Sequence, residues 1–212
     1  MTSEFFDDFY STGSDYYGLE ARSEFHSFLA NLPKGSLCLD LACGQGRHSV
    51  PAARAGHRVH AVDYSAVGIE QLRAYAATER LAIETEQADI RAVQPTPDTY
   101  DAVFLVSTLS HFLEADLQGL VAMSLAALRG GGQVFVEGFI TADPGYEGGG
   151  DKSETAVALK YFFAPGALRG LFTGVEIDVY SEFMEDDFSH GPAHKHGVAL
   201  LIGTKPRSES PG

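Results

Sequence analysis

Asp40-Leu41-Ala42-Cys43-Gly44-Gln45-Gly46 is the stretch that decides how this chain folds. It closes an apolar run, Ser36 to Leu41, that follows the turn signal Pro33-Lys34-Gly35. A run without polar alternation suits a parallel strand covered on both faces. A helix is expected after the glycines. Pro51 is tolerated only in a first turn, so the helix opens near Arg47 or His48, and Gly56 closes it. Strand, glycine loop and helix in this order place the loop at the crevice where an open α/β sheet reverses its strand order.

The same alternation continues outward. Arg58 to Val62 predicts a second strand ending at Asp63, and Ser65 is the N-cap of a helix carrying Val67, Ile69, Leu72 and Ala76. Leu81 to Glu86 predicts a third strand ending near Asp89, and Tyr100 to Val106 a fourth. Leu113, Leu117, Leu120, Val121, Leu125 and Leu128 form a helical stripe, and Gly130-Gly131-Gly132 turns into a fifth strand at Gln133 to Glu137. This is an α/β pattern with a parallel sheet. Two strands, Val175 to Glu182 and Val198 to Thr204, then predict a closing hairpin. Leu19, Phe25, Phe28, Leu29 and Leu32 recur at helical spacing, which predicts an N-terminal helical cap over 1–32. One domain is expected over 1–205, with a mobile glycine-rich loop at 141–154 and a disordered tail at 206–212.

Composition narrows the partners. Fifteen Lys and Arg stand against 29 Asp and Glu, a formal charge of −14 that repels a phosphate backbone, so no nucleic-acid partner is expected. No apolar run approaches the roughly 20 residues of a membrane helix, and the N-terminus is acidic where a leader would be basic. A cytoplasmic protein acting on a small molecule is expected, as a monomer or homodimer. Cys38 and Cys43 offer neither a disulfide framework nor zinc-ligand spacing.

A glycine loop of this kind serves either of two nucleotide-bearing cofactors. Dinucleotides set a pyrophosphate on the helix N-terminus and favour G-x-G-x-x-G. Here Gly44-Gln45-Gly46-Arg47-His48-Ser49 lacks the third glycine. Asp40, four residues before Gly44, would repel a pyrophosphate, but it would attract the ammonium and sulfonium of S-adenosyl-L-methionine. Asp63 is placed to accept both ribose hydroxyls, and Asp89 to meet the adenine amino group.

These residues resemble the class I S-adenosylmethionine-dependent methyltransferases. Asp40 to Gly46 resembles their motif I, Ala61-Val62-Asp63-Tyr64-Ser65 the second acidic motif, Gln87-Ala88-Asp89-Ile90 the third, and Asp101 to Ser107 the strand-four motif. The resemblance implies a Rossmann-like, doubly wound sheet of seven strands, mostly parallel with an antiparallel C-terminal hairpin, and helices on both faces. It implies cofactor contacts from Asp40, Ala42, Cys43, Gly44, Gly46 and Arg47. From the later strands it implies Asp63, Tyr64, Ser65, Asp89 and Ile90, with Val106 and Ser107 beside the methionine moiety. Ala42 departs from the family's glycine, a harmless change unless that residue needs positive φ.

The N-terminal tyrosines, the variant Cys43-Gly44-Gln45-Gly46-Arg47 and the histidines of the final hairpin are similar to the small methyltransferases related to the tellurite-resistance protein, cousins of the thiopurine methyltransferases. That implies a small acceptor, a chalcogen oxyanion or thiol, with Tyr16 and Tyr17 roofing the cofactor; a metabolite hydroxyl or amine is an equal alternative. His111, just after the fourth strand, is the first candidate base, and His194 the second. His190, His194 and His196 with Asp186 or Asp187 have metal-binding chemistry, and the same histidines with Lys195 and Arg47 suit an anionic acceptor. Methyl transfer requires no metal, and none is expected. The competing readings are an NAD-dependent oxidoreductase and a non-catalytic S-adenosylmethionine-binding module. Asp63→Ala is expected to cripple cofactor binding, measured by calorimetry, while His111→Ala mainly slows turnover; unchanged affinity in the Asp63 variant would contradict the ribose assignment.

Overall fold

The computed structural model describes residues 3–13, 17–146, 156–188 and 193–207. Tyr16, His190, residues 147–154 of the glycine-rich segment and residues 208–212 of the tail therefore lie outside the described residues. The strands are β1 (Leu37–Leu41), β2 (Arg58–Asp63), β3 (Ile83–Gln87), β4 (Tyr100–Val106), β5 (Leu128–Phe139), β6 (Glu176–Asp187) and β7 (His194–Thr204). They form one seven-stranded sheet in the order β3-β2-β1-β4-β5-β7-β6. The first five pair in parallel, and β7 runs antiparallel to both β5 and β6. The chain winds outward from β1 to β3 and returns to β4 on β1's other side. The carboxyl ends of β1 and β4 consequently border the crevice of a doubly wound sheet.

Alternation along the strands splits the core in two. Leu39 and Leu41 of β1, with Val103 and Leu105 of β4, pack on the face covered by α5 (Glu114–Ala127) and α6 (Ala167–Leu171). Cys38, Ala102, Phe104 and Phe135 point the other way, onto α2 (Ser23–Asn31), α3 (Ser49–Arg54) and α4 (Ala66–Glu79). Phe25 of α2 is the hub of that face. Its ring lies edge-on to Phe104 and Phe135 at 4.9 and 5.0 Å, and it is fully buried. Burying a ring of this size stabilises by roughly 1.5–3 kcal/mol.

Several elements differ from the sequence expectation. The N-terminal cap is two helices, α1 (Ser3–Tyr10) and α2, because the chain turns at Thr12-Gly13 and takes left-handed backbone at Gly18 (φ 74°). β5 begins at Leu128 rather than after the glycines. Its register on β4 jumps from Tyr100↔Leu128 to Ala102↔Gln133, so the three glycines bulge inside a strand. Gly132 makes this fit, since a Cβ there would lie 3.0 Å from the Tyr100 carbonyl oxygen. Five-residue α6 is too short to show periodicity. The hairpin is longer than its apolar pattern, reaching Asp187 on β6 and His194 on β7 through polar residues. The start of the glycine-rich segment is tied down: Ile140 bridges Phe163, and the buried Asp143 accepts from Gly197 N at 2.8 Å. Among the described residues no helix is long and apolar enough to cross a membrane.

Ala42 stands at φ 61°, the left-handed region, so the position where the chain departs from glycine does need positive φ. Left-handed backbone in an L-residue is unfavourable by about 1 kcal/mol. Ala42→Gly is expected to raise stability by a similar amount, less the added unfolded-state entropy, read as a higher urea midpoint at unchanged slope.

Candidate active site

A cleft of about 580 Å³ opens over the crevice, a size suited to a nucleoside-sized ligand. The glycine loop forms its floor. Cys43 N donates to Val62 O at 3.0 Å and Gly46 N to Cys43 O at 2.9 Å, while Gly44 and Gly46 take φ values of 54° and 94°. A Cβ on Gly44 would lie 2.6 Å from the Tyr10 hydroxyl oxygen, so the second glycine lets α1 settle over the loop. Phe6 and Tyr10 of α1 line the cleft. Asp7 anchors that helix by accepting from Ser65 Oγ and, at 3.2 Å, from Val67 N, at the start of α4.

The expected cofactor residues divide into a wall and its backing. Ala42, Cys43, Gly44 and Arg47 line the cleft from the loop. Tyr64, Asp89 and Ile90 line it from the ends of β2 and β3, Val106 and Ser107 from the end of β4, and Tyr17 from beyond α1. Asp40, Gly46, Asp63 and Ser65 stand behind this wall. Asp63 is 4% exposed, with Oδ2 accepting from Gly44 N and Oδ1 from Ser65 N, both at 2.8 Å. The backbone of Tyr64 adds a further hydrogen bond to this carboxylate. Asp40 shares its parity with Cys38, so its carboxylate points toward α3 and accepts from Ser49 Oγ at 2.6 Å. Ser65 caps α4, its hydroxyl accepting from Gly68 N at 3.0 Å. Asp89 holds Arg91 through two guanidinium nitrogens at 2.5–3.1 Å, which keeps its carboxyl below the usual range.

The other half of the cleft contains residues that the sequence pattern did not mark. Arg22, in the linker before α2, places Nε 2.7 Å from Glu137 Oε1 and Nη2 2.8 Å from Glu185 Oε1. Glu137 ends the apolar run of β5 and is 5% exposed; burial pushes its carboxyl up to about 7 although Arg22 pulls it down. The available signal was a lone acid closing an apolar parallel strand, at the edge where such sheets bind ligands. His48 lies beside them, pushed down to about 3 by burial and by Arg47 and Arg22. His111 lines the cleft, with Nδ1 3.4 Å from Ala158 O and its ring edge-on to Phe6 at 5.5 Å. Burial depresses it to about 4, so it is neutral, and with Nδ1 donating to Ala158 its lone pair lies on Nε2.

His194 does not line the cleft. It stands behind His196, which does, with the two Nε2 atoms 2.9 Å apart. Burial pushes the Cys43 thiol well up, with Asp63 and Asp40 adding to the effect, which leaves it un-ionised and unreactive. The same two causes act on the carboxylates themselves. Burial raises Asp40 to about 7, with repulsion from Asp63 adding to it, and burial and Asp7 raise Asp63 to about 6 against the pull of its backbone donors.

Comparison with known proteins agrees with this geometry. Residues 38–132 match the methyltransferase domain family. The ubiquinone biosynthesis O-methyltransferase of Methylocella silvestris is 36% identical over 102 residues, which are 48% of this chain and 39% of that protein. The chain thus spans well under half the length of this curated relative. Among solved structures, TehB from Haemophilus influenzae superposes with a TM-score of 0.74 at 20% identity, covering 94% of this chain and 67% of that one. A SAM-dependent methyltransferase from Methanosarcina mazei gives 0.72 at 15% identity, covering 89% of this chain and all of that one. At these identities the two structures establish the fold.

The buried groups set a pH dependence. Between pH 4 and 6.5 the raised acids and the depressed histidines act in opposite directions. The native state holds extra protons on Asp40, Asp63 and Glu137 and lacks those that His48 and His111 carry when unfolded. Above pH 6.5 the histidine contribution fades as the unfolded imidazoles lose their remaining protons, and the acids dominate. The native state then binds more protons than the unfolded one, so stability falls as pH rises, by roughly 1 kcal/mol between pH 6.5 and 8 for each group near 7. Urea midpoints at the two pH values should show this fall, and Asp40→Asn should reduce it.

Proposed function

We propose that this chain, with its methyltransferase domain over residues 38–132, carries the methyl group of S-adenosyl-L-methionine to a small-molecule acceptor in the cytoplasm. The observation that carries this reading is the place of Asp40. Its carboxylate engages Ser49 at the first turn of α3, the point at which a dinucleotide would seat its pyrophosphate. A phosphate there would meet a buried carboxyl and oppose its ionisation. A sulfonium and an ammonium would instead find Asp40 and Asp63 behind the floor of the cleft. The fit extends to the cleft wall, where Tyr64 and Ile90 offer apolar surface for an adenosine and Ser107 borders the position of the methionine part.

The cofactor supplies an activated methyl group, and the protein must align the acceptor, exclude water and remove a proton where the acceptor carries one. Phe6, Tyr10 and Tyr17 close over the loop and keep water from it. Two groups in the cleft are suited to taking the proton. His111 is neutral with an available Nε2, and Glu137 ionises near neutrality, the more effective range for a base. A hydroxyl acceptor is the favoured class, supported by the oxygen-methylating name of the Methylocella relative and by a base matched to such a proton. The acidic protein presents Arg22, Arg47 and Lys160 among the cations that line the cleft.

Calorimetry with S-adenosylhomocysteine and with NAD tests the donor, and binding of NAD alone would sink the reading. Turnover, followed as S-adenosylhomocysteine release across a panel of phenolic and other small acceptors, is expected to rise through about pH 7 as Glu137 ionises. Glu137→Gln should lose that rise and roughly 10²–10⁴ of the rate while keeping cofactor affinity. Cofactor binding without release for any acceptor would favour the non-catalytic module.

A further inference from the structure

We propose that Asp187, His194 and His196 form a binding site for a first-row divalent metal ion on the wall of the cleft. One ligand atom from each lies within 4.8 Å of the other two. The hairpin register produces the cluster. His194 and His196 are two apart on β7 and share a face, and Asp187 is the cross-strand partner of His194 on β6. Lys195, between the histidines, points away and pairs outside with Asp186 at 2.7 Å. The His194 and His196 Nε2 atoms are 2.9 Å apart, and Asp187 Oδ2 is 3.9 Å from His196 Nε2. Ligands on a tetrahedral zinc ion stand about 3.3 Å apart, from bonds near 2.0–2.1 Å. Shifts of a few tenths of an ångström would seat an ion.

A supporting shell is also built. Asp143 is 3% exposed, and its Oδ2 receives His196 Nδ1 at 3.0 Å and Gly197 N at 2.8 Å, while Oδ1 receives Gly145 N at 2.7 Å. A carboxylate on the far nitrogen of a histidine fixes the ring's tautomer and raises its basicity toward a metal. In the neutral tautomer with Nδ1 donating to Asp143, His196 would carry its lone pair on Nε2, and His194 would donate the hydrogen bond between the two rings. Metal binding would move that proton to His194 Nδ1. Two imidazoles and one carboxylate suit zinc, cobalt or a related ion and leave at least one coordination position for another ligand.

Asp187 and His196 line the cleft, beside Glu185 and Phe139. A remaining coordination position on that side would take an oxygen of the acceptor. This role rests on the methyl-transfer reading, whereas metal binding does not, so the test reads binding directly. Tag-free full chain, stripped with chelator, is titrated with Zn²⁺ by calorimetry and with Co²⁺ by absorption. One ion per chain is expected, with no thiolate charge-transfer band and a raised melting temperature. His194→Ala and the half-buried Asp187→Asn should each weaken Zn²⁺ at least tenfold, and Asp143→Asn about 10–100-fold by loosening His196, in proteins whose circular dichroism shows them folded. Absence of binding, binding undiminished in both His194→Ala and Asp187→Asn, or a thiolate band from Cys43 would each overturn the site.

Discussion

The Asp63 carboxylate, clamped between two backbone amides, is the constraint on which the rest of the site depends. One oxygen takes Gly44 N and the other Ser65 N, so a single side chain joins the turn after β1, the end of β2 and the start of α4. Those amides would otherwise be buried donors without partners, each unfavourable by about 1–3 kcal/mol. The clamp keeps the loop in its left-handed conformations at Ala42, Gly44 and Gly46. It also sets the floor against which Tyr10 packs and the helix terminus to which Asp7 binds. The roof of the cleft is therefore positioned by the same residue as its floor.

The clamp belongs to an interior that is unusually acidic. Asp40, Asp63 and Glu137 are each at most 5% exposed, and burial raises all three toward neutrality. Such an arrangement weakens the ligand-free protein at neutral pH and favours a cationic ligand. Arg22 relieves part of the strain by bridging Glu137 and Glu185. It also ties the segment before α2 to both β5 and β6, connecting the two ends of the chain across the cleft.

The long hairpin explains why the two halves of the cleft differ. Along β1 to β4 the strand ends are short and meet the loop. β6 and β7 continue to Asp187 and from His194, carrying polar side chains to the cleft wall. There Asp143 locks His196 and Gly197 to the segment after β5. One half of the cleft follows the glycine loop, and the other follows the hairpin.

The strand-and-helix alternation, the glycine loop, the Ser65 cap and the acids closing β1, β2 and β3 were all legible in the sequence, because each depends on local periodicity, backbone freedom or a strand end. The closing hairpin was legible as two strands, but its polar extensions were not, since a strand end that lines a cleft carries no apolar alternation. Parity along β1 sends Asp40 behind the loop to Ser49, and the Gly44 and Ser65 amides draw Asp63 off the wall. Neither outcome follows from spacing alone. Nor does the meeting of Arg22 with Glu137 and Glu185, which are 115 and 163 residues away in the chain. The sequence by itself determined the fold and the strand ends that border the cleft, because backbone conformation and strand-end charge are local properties. Only the tertiary structure decided which carboxylates face the ligand and which brace the loop, because that depends on burial and pairing between segments far apart in the chain.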